Sequence, residues 1–290
     1  MTPTTIPTDW HLRTRRLELP RPGDAGARPL AMGIVNVTPD SFSDGGRHDD
    51  VEAAVAHGLA LVADGADILD VGGESTRPFS EPVTAEEEWR RVGEVVRRLS
   101  REAGVPVSID TSKAVVAARA LEAGAEIVND VTGLEGDPDM LRVARDAAAG
   151  VCAMHMQGTP QTMQVAPRYD DVVAEIHDYL RRRRDALVAA GIPLARICLD
   201  PGIGFGKTHE HNLALVAAAG RFLDLGAPIL VGHSRKGFIG KAIERALGRP
   251  PTVAERDAGT AAIACRLADA GIQIVRVHAV GMVRAALAMR

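Results

Sequence analysis

Cysteine is scarce in this chain. Only Cys152, Cys198 and Cys265 occur, an odd number with no CxxC pair, each inside an apolar stretch. They read as small buried hydrophobes in a reducing compartment, not as a disulfide framework. Long apolar runs are missing too. No stretch approaches the ~18–20 residues that a membrane span needs. The first segment, MTPTTIPTDWHLRTRRLELPRPGDAGARP, lacks the apolar centre of a secretory signal. Nor is one sign of charge in large excess: 34 Lys and Arg face 38 Asp and Glu, for a net charge of −4. No basic field points to nucleic acid or acidic lipid, so an anionic ligand must be held by a local site. The sequence therefore predicts a cytoplasmic protein with neither a membrane nor a nucleic-acid partner.

What is present is ordinary globular composition, 46% hydrophobic and 25% charged over 290 residues, enough chain for a sizeable core. From residue 30 onward, eight short apolar runs alternate with longer segments of helical spacing. The runs are LAMGIVNV, DILDVGG, VPVSID, EIVNDV, GVCAMHM, RICLDPG, PILVGHS and IQIVRVH. Continuous apolar character suits parallel strands covered on both faces. Helix candidates cover 51–64, 85–102, 113–123, 138–147, 169–190, 212–225, 254–270 and 282–289, with another beginning at Lys236-Gly237-Phe238. Several stop at a glycine just ahead of the next run, as in GADILD and GAEIVND. Eight β-then-α units predict a single TIM-type (β/α)8 barrel over residues 30–290, with a doubly wound open sheet as the alternative. Residues 1–29 fall outside the repeat, and their Pro/Arg-rich composition predicts an N-terminal arm with a short hairpin capping the barrel bottom. The RRRR run (181–184) sits in a helix among acidic residues. Four consecutive residues point to every side of a helix, so the run reads as a solvated, ion-paired surface.

Polarity gathers where the strands end. In chain order these ends carry Asn36; Glu74, Ser75, Thr76 and Arg77; Asp110; Asn129 and Asp130; His155; Asp200; Ser234, Arg235 and Lys236; Arg276 and His278. In a barrel they share the C-terminal rim, where active sites sit. Burying so many polar groups costs free energy unless a ligand pairs them. Asp110, Asn129 and Asp200 offer two carboxylates and an amide, a set that matches a flat heterocycle bearing N–H, amino and carbonyl groups. Lys236 can reach a ring carbonyl or nitrogen. Thr76, Arg77, Ser234, Arg235, Arg276 and His278 suit phosphate or carboxylate oxygens. Two Gly-containing loops, NVTPDSFSDGG with Phe42 and DPGIGFGK with Phe205, place two of the five phenylalanines at the rim. Stacking on a planar ligand is one reading of them and plain core packing the other. The GFGK segment lacks GxxxxGK[ST] spacing, which excludes a P-loop.

GIVNVTPDSFSDGG, GGESTRP, SIDTSK, NDVTG, MHMQGTPQTMQ, DPGIGFGK, GHSRKGF and RVH occur in this order, one per unit. Together they resemble the dihydropteroate synthase family of pterin-binding enzymes. That resemblance implies condensation of a dihydropterin methyl diphosphate with p-aminobenzoate, releasing pyrophosphate, with Mg²⁺, in a homodimer that sulfonamides target. Position by position it implies Asp110, Asn129, Asp200 and Lys236 around the pterin, with Met154 and Phe205 packed on it. Asn36 would ligate Mg²⁺. Thr76, Arg77, Arg276 and His278 would hold the diphosphate, and Phe42, Pro78, Ser234 and Arg235 would shape the p-aminobenzoate pocket. Asp110, Asp200 and Lys236 form the implied catalytic set. Two positions depart from the family pattern: Phe79 replaces the glycine of STRPG, and Ala279 replaces the aspartate of RVHD, removing a carboxylate that can orient His278. Two other readings stand beside this one. A methyltetrahydrofolate-type methyltransferase shares the barrel and the Asp/Asn/Asp pocket but needs no diphosphate cluster. A non-catalytic paralogue would keep the fold alone.

Overall fold

A computed structural model of the chain describes residues 6–21, 23–24, 26–38, 47–77 and 80–290, leaving aside the side chains of 47–49. Two short antiparallel strands come first, β1 (Asp9–His11) and β2 (Arg16–Glu18). Eight parallel strands follow: β3 (Leu30–Asn36), β4 (Ile68–Gly72), β5 (Val107–Asp110), β6 (Ile127–Asp130), β7 (Gly150–Met154), β8 (Ile197–Asp200), β9 (Leu230–Val231) and β10 (Ile274–Val277). Their spatial order is β8-β7-β6-β5-β4-β3-β10-β9. A parallel bridge between Leu199 and Ile229 joins the two ends, so the sheet wraps into a nearly closed (β/α)8 barrel. The eight runs read from the sequence are these eight strands. The seventh run is the shortest as a strand, because only Leu230 and Val231 pair regularly before the chain leaves the sheet at Gly232.

The helices α1 (Arg47–Ala63), α2 (Ala85–Glu102), α3 (Ala114–Glu122), α4 (Met140–Asp146), α5 (Val172–Ala189), α6 (His209–Ala217), α7 (Gly237–Leu247), α8 (Val253–Asp269) and α9 (Val280–Ala288) form the outer layer. Local sequence sets several of their ends. Thr84 and Asp171 accept from backbone N–H groups of the first turn, and Thr208 and Thr252 close capping boxes with His211 and Glu255. The stop glycines adopt the left-handed backbone that L side chains avoid, with φ of +97° at Gly65 and +112° at Gly124. The expected helix over 212–225 is instead α6, ending at Ala217, followed by a 3₁₀ segment, Ala219–Leu225, in which a Cβ on Gly220 would lie 3.0 Å from the Ala270 carbonyl oxygen.

One apolar layer lies between strands and helices, built from Val35, Val71, Ile109, Val128, Val151 and Leu199 with Val95, Leu121, Leu180 and Phe222. A second fills the barrel interior: Met32, Ile68, Ile127, Cys152, Cys198, Leu230 and Ile274. Trp10, Leu12 and Leu19 belong to this interior cluster, so the β1–β2 hairpin plugs the N-terminal end. The Trp10 indole N–H donates to the carbonyl of Arg196 at 3.0 Å, and Gly150 leaves room for Leu12. With that end sealed, inward-facing residues at the other end are free to form a site. All three cysteines are free thiols, Cys152 and Cys198 buried and Cys265 half-buried.

Candidate active site

Side chains alternate across a strand, so register decides which residues enter the barrel. Asp70 sits opposite Ile34 and Ser108, Asp110 opposite Gly72 and Asn129, Asp200 opposite Met154, and Arg276 opposite Met32. These residues close over the apolar interior as a polar floor. Gly72 and Gly232 also face inward there. A Cβ on Gly72 would touch Asp110 at 3.4 Å, and one on Gly232 would lie 3.6 Å from Asp200 Oδ2. The two glycines keep space beside both carboxylates.

Arg276 bridges two acids, donating from Nε to Asp70 Oδ2 at 2.5 Å and from Nη2 to Asp110 Oδ2 at 2.6 Å. Asn129 donates to the same Asp70 oxygen at 3.0 Å. Asp200 Oδ1 accepts from the Gly202 N–H at 2.7 Å. Burial pushes the Asp110 carboxyl up to about 7, with Arg276 opposing and Asp70 adding to the shift. Asp200 is raised for the same first reason, burial, against the pull of Lys236. Lys236 precedes the first residue of α7, and its ammonium lies 4.3 Å above the Phe205 ring and donates to the Ile203 carbonyl. Burial lowers its ammonium to about 7, although Asp200 supports the charge. The loop that presents Phe205 demands its glycines. Gly204 has a φ of +83°, and a Cβ there would meet Lys236 Cδ at 2.6 Å. Lys207, fully inside this loop's base, donates to the Phe205 carbonyl at 2.8 Å and contacts His155 Nδ1 at 3.1 Å.

The anion-suited residues fall at the same mouth. Ser234 Oγ accepts the His278 backbone N–H at 3.2 Å and lies 2.9 Å from His278 Nδ1. Burial drives His278 down to about 3, with Arg235 and Arg276 adding to the effect, so the ring stays uncharged at neutral pH. The missing carboxylate at Ala279 is thus replaced, as orienting group, by Ser234. Arg235 has a strained φ of +57° and forms a bidentate pair with Asp257 at 2.7 and 2.9 Å. Its N–H donates to Thr260 Oγ1 at 3.1 Å, so α8 holds the turn. Asn36 ends β3 and its amide has no hydrogen bond among the described residues. Thr76 is half-buried and Arg77 exposed, on the segment after β4. Phe42, Pro78 and Phe79 lie outside the described residues.

Asp70 is the floor residue that reading strand ends misses. It lies inside its strand, not at the end. Its signal is a carboxylate within the apolar run DILDVGG, two residues before Gly72 and so on the same inward face. It is fully buried, and its Oδ1 has no partner among the described residues. Asp257 and Thr260 carry no comparable signal, since they act through Arg235 from a helix.

A family model for pterin binding enzymes matches residues 32–278, from β3 through β10. The chain belongs to the pterin-binding enzyme family. Dihydropteroate synthase of Synechocystis is 43% identical over 255 residues, covering 88% of this chain and 86% of that protein. The Xanthomonas albilineans dihydropteroate synthase solved with 4-aminobenzoic acid superposes with a TM-score of 0.87 at 44% identity, over 97% of this chain and 96% of that one. The same enzyme solved with 7,8-dihydropteroate gives 0.83 at 43% identity, over 97% of each chain.

Proposed function

We propose that this protein is a dihydropteroate synthase, a transferase that joins a dihydropterin methyl diphosphate to p-aminobenzoate and releases pyrophosphate in folate biosynthesis. The observation that carries the reading is one barrel mouth holding a heterocycle-matched floor, Asp110, Asn129, Asp200 and Lys236, beside anion donors, in a chain of this family. The carboxylates accept the pterin's N–H and amino hydrogens, Asn129 and Lys236 meet its carbonyl and ring nitrogen, and Met154 and Phe205 pack on its faces. Thr76, Arg77, Arg276 and His278 hold the diphosphate; Phe42, Pro78, Ser234 and Arg235 border the aniline site.

The C–O bond to the diphosphate breaks first; the aniline nitrogen then forms the C–N bond to the pterin methylene cation and loses a proton to solvent or the leaving group. A neutral aniline is already a nucleophile, so the site needs charge stabilisation more than a strong base. Asp110 and Asp200 stabilise positive charge that develops on the pterin, while the arginines and His278 stabilise the departing diphosphate. Asn36 offers a single neutral oxygen, and no cluster of three acidic, His or Cys side chains gathers among the described residues. That set fits Mg²⁺, which Asn36 would hold together with substrate oxygens and water, and which would supply neutralisation of leaving-group charge.

Two features of the chain bear on its setting. Among the described residues no helix is long and apolar enough to cross a membrane, and the three thiols are free, which supports a reducing, cytoplasmic location. The α7–α8 face exposes Leu247 and Val253 with Ala254, Ala258 and Ala262, which supports a homodimer joined there. The decisive experiment measures pyrophosphate and dihydropteroate with both substrates and with each omitted. Equal amounts of both products, only when both substrates are present, are expected. Pyrophosphate release without incorporation of the aniline, or no release, would overturn the reading.

A further inference from the structure

Outside the floor, a buried carboxylate is held by one cation. Glu88 on α2 is fully buried and its Oε1 has no partner among the described residues, while Oε2 accepts from Lys113 Nζ at 2.6 Å. The same Nζ donates to Glu74 Oε2 at 2.7 Å. Glu74 uses its other oxygen to accept the Val83 N–H at 2.9 Å. One carboxylate therefore ties together two points of the chain, residues 74 and 83, that flank Thr76 and Arg77. Lys113 in turn ties that carboxylate to the barrel wall, three residues beyond Asp110 at the end of β5.

Arg77 needs such a tie. It is exposed and its guanidinium makes no ion pair among the described residues, so nothing it touches fixes its segment. The polar contacts within the segment are local: Ser80 Oγ donates to the Ser75 carbonyl at 2.5 Å, and Ser80 N–H to the Arg77 carbonyl at 3.1 Å. The segment is tied outward at three points: through Glu74, through Arg91 from the adjoining Gly73 carbonyl at 2.9 Å, and through Gln161 of the loop after β7, whose Nε2 donates to the Ser80 carbonyl at 3.2 Å; of these, Glu74 and Arg91 lead to α2, α3 and the barrel wall. A buried Lys–Glu pair is a poor stability device, since apolar residues of similar size often do as well. Its second carboxylate on the anion-binding segment gives Lys113 a task that apolar packing cannot perform.

We propose that Lys113 is a positioning residue for the reaction, holding Thr76 and Arg77 toward the diphosphate through Glu74. The inference rests on the reading of Thr76 and Arg77 as diphosphate ligands. Lys113→Met alone leaves Glu88 without its cation and can fail to fold, so two further variants carry the test. Glu74→Ala cuts the tie but keeps the Lys113–Glu88 pair. The double variant Lys113→Met/Glu88→Met replaces the buried pair with apolar side chains and leaves Glu74 untethered.

Both variants are expected to raise KM for the pterin diphosphate roughly tenfold, about the worth of one charge-assisted hydrogen bond, with kcat within about twofold. Amide hydrogen exchange at 75–77, 80, 81 and 83 should quicken, and affinity for a pterin without the diphosphate should stay as in the wild type. Lys113→Arg, whose fork reaches both carboxylates, should restore KM. A purely structural role predicts instead that the double variant regains wild-type KM and exchange. That result, with Arg77→Ala still raising KM, would overturn the proposal and spare the anion-site reading. If Arg77→Ala also leaves KM unchanged, the segment does not bind the diphosphate, and the proposal falls with that reading.

Discussion

At the scale of single residues, the Arg276 bridge and the titration of Asp110 belong together. Arg276 satisfies Asp70 and Asp110 at once through Oδ2 of each, which leaves Asp110 Oδ1 to accept from the proposed pterin. The carboxyl must be ionised to accept two donors, yet burial holds its titration near 7, above the ordinary value of 3.8. A carboxyl raised on folding binds more protons in the native state, so between those two values the native state loses stability as pH rises. Binding carries the opposite sign, because the ligand selects the ionised form. Affinity for a pterin lacking the diphosphate should therefore fall about tenfold per pH unit below about 7. Asp110→Asn should bind one to two orders of magnitude more weakly, for loss of roughly 1.5–3 kcal/mol of charged hydrogen bonding, and lose that acid limb. Calorimetric titration from pH 5 to 8 checks both. An Asp110→Asn variant that keeps the wild-type slope would move the proton to another group.

At the scale of elements, the regular parts of the chain were legible and the exceptions have physical reasons. Apolar runs identify all eight barrel strands because parallel strands covered on both faces must be apolar throughout. Strand ends expose most floor residues by the same logic, since polarity stands out against such runs. Asp70 escaped because it interrupts its strand from within. The split of 212–225 into α6 and a 3₁₀ segment goes with tight packing of Gly220 beside the Ala270 carbonyl, a tertiary feature no local pattern encodes. Cation placement is equally non-local: Arg183 of the RRRR run is buried against the Gly133 and Leu134 carbonyls, while Arg181 and Arg182 pair with Asp178. The β1–β2 hairpin was legible as an arm, but the depth of Trp10 was not. That indole is fully buried among interior residues from most strands. Trp10→Ala should destabilise the protein by about 3–5 kcal/mol, the usual cost of deleting a buried large aromatic. KM for both substrates should change little, because the plug lies at the end opposite the floor. Urea unfolding with steady-state kinetics measures the two effects; a large KM change with unchanged stability would contradict the division of the barrel into a sealed end and a working end.

At the scale of the whole molecule, the barrel uses its two surfaces differently. Most of the helical ring is charged and locally paired, as along α2, where Arg90 and Arg97 meet Glu87 and Glu94 three residues away. Such exposed pairs contribute little to stability but keep that surface solvated. The α7–α8 side differs: Ala254, Ala258 and Ala262 recur every four residues on one exposed helix face, beside Leu247 and Val253. Small side chains on one face allow a second helix to approach closely, and the flanking apolar residues add area that is removed from water on association. The buried face of α8 carries Asp257 and Thr260, which hold Arg235 at the site mouth. Association through the outer face would brace that helix without placing any of the floor residues in the interface. Ala258→Arg should therefore turn the proposed homodimer into a monomer, because a long cation at the centre of a close helix contact cannot be desolvated without a partner. Light scattering after size exclusion gives the mass. The monomer should bind a pterin lacking the diphosphate with wild-type affinity, since Asp110, Asn129 and Asp200 stand on strands far from α8. KM for p-aminobenzoate should rise, since Arg235 depends on α8 for its orientation. A dimeric Ala258→Arg variant would rule out this face as the contact, and a monomer with unchanged KM for p-aminobenzoate would show that α8 holds Arg235 without help from a second copy.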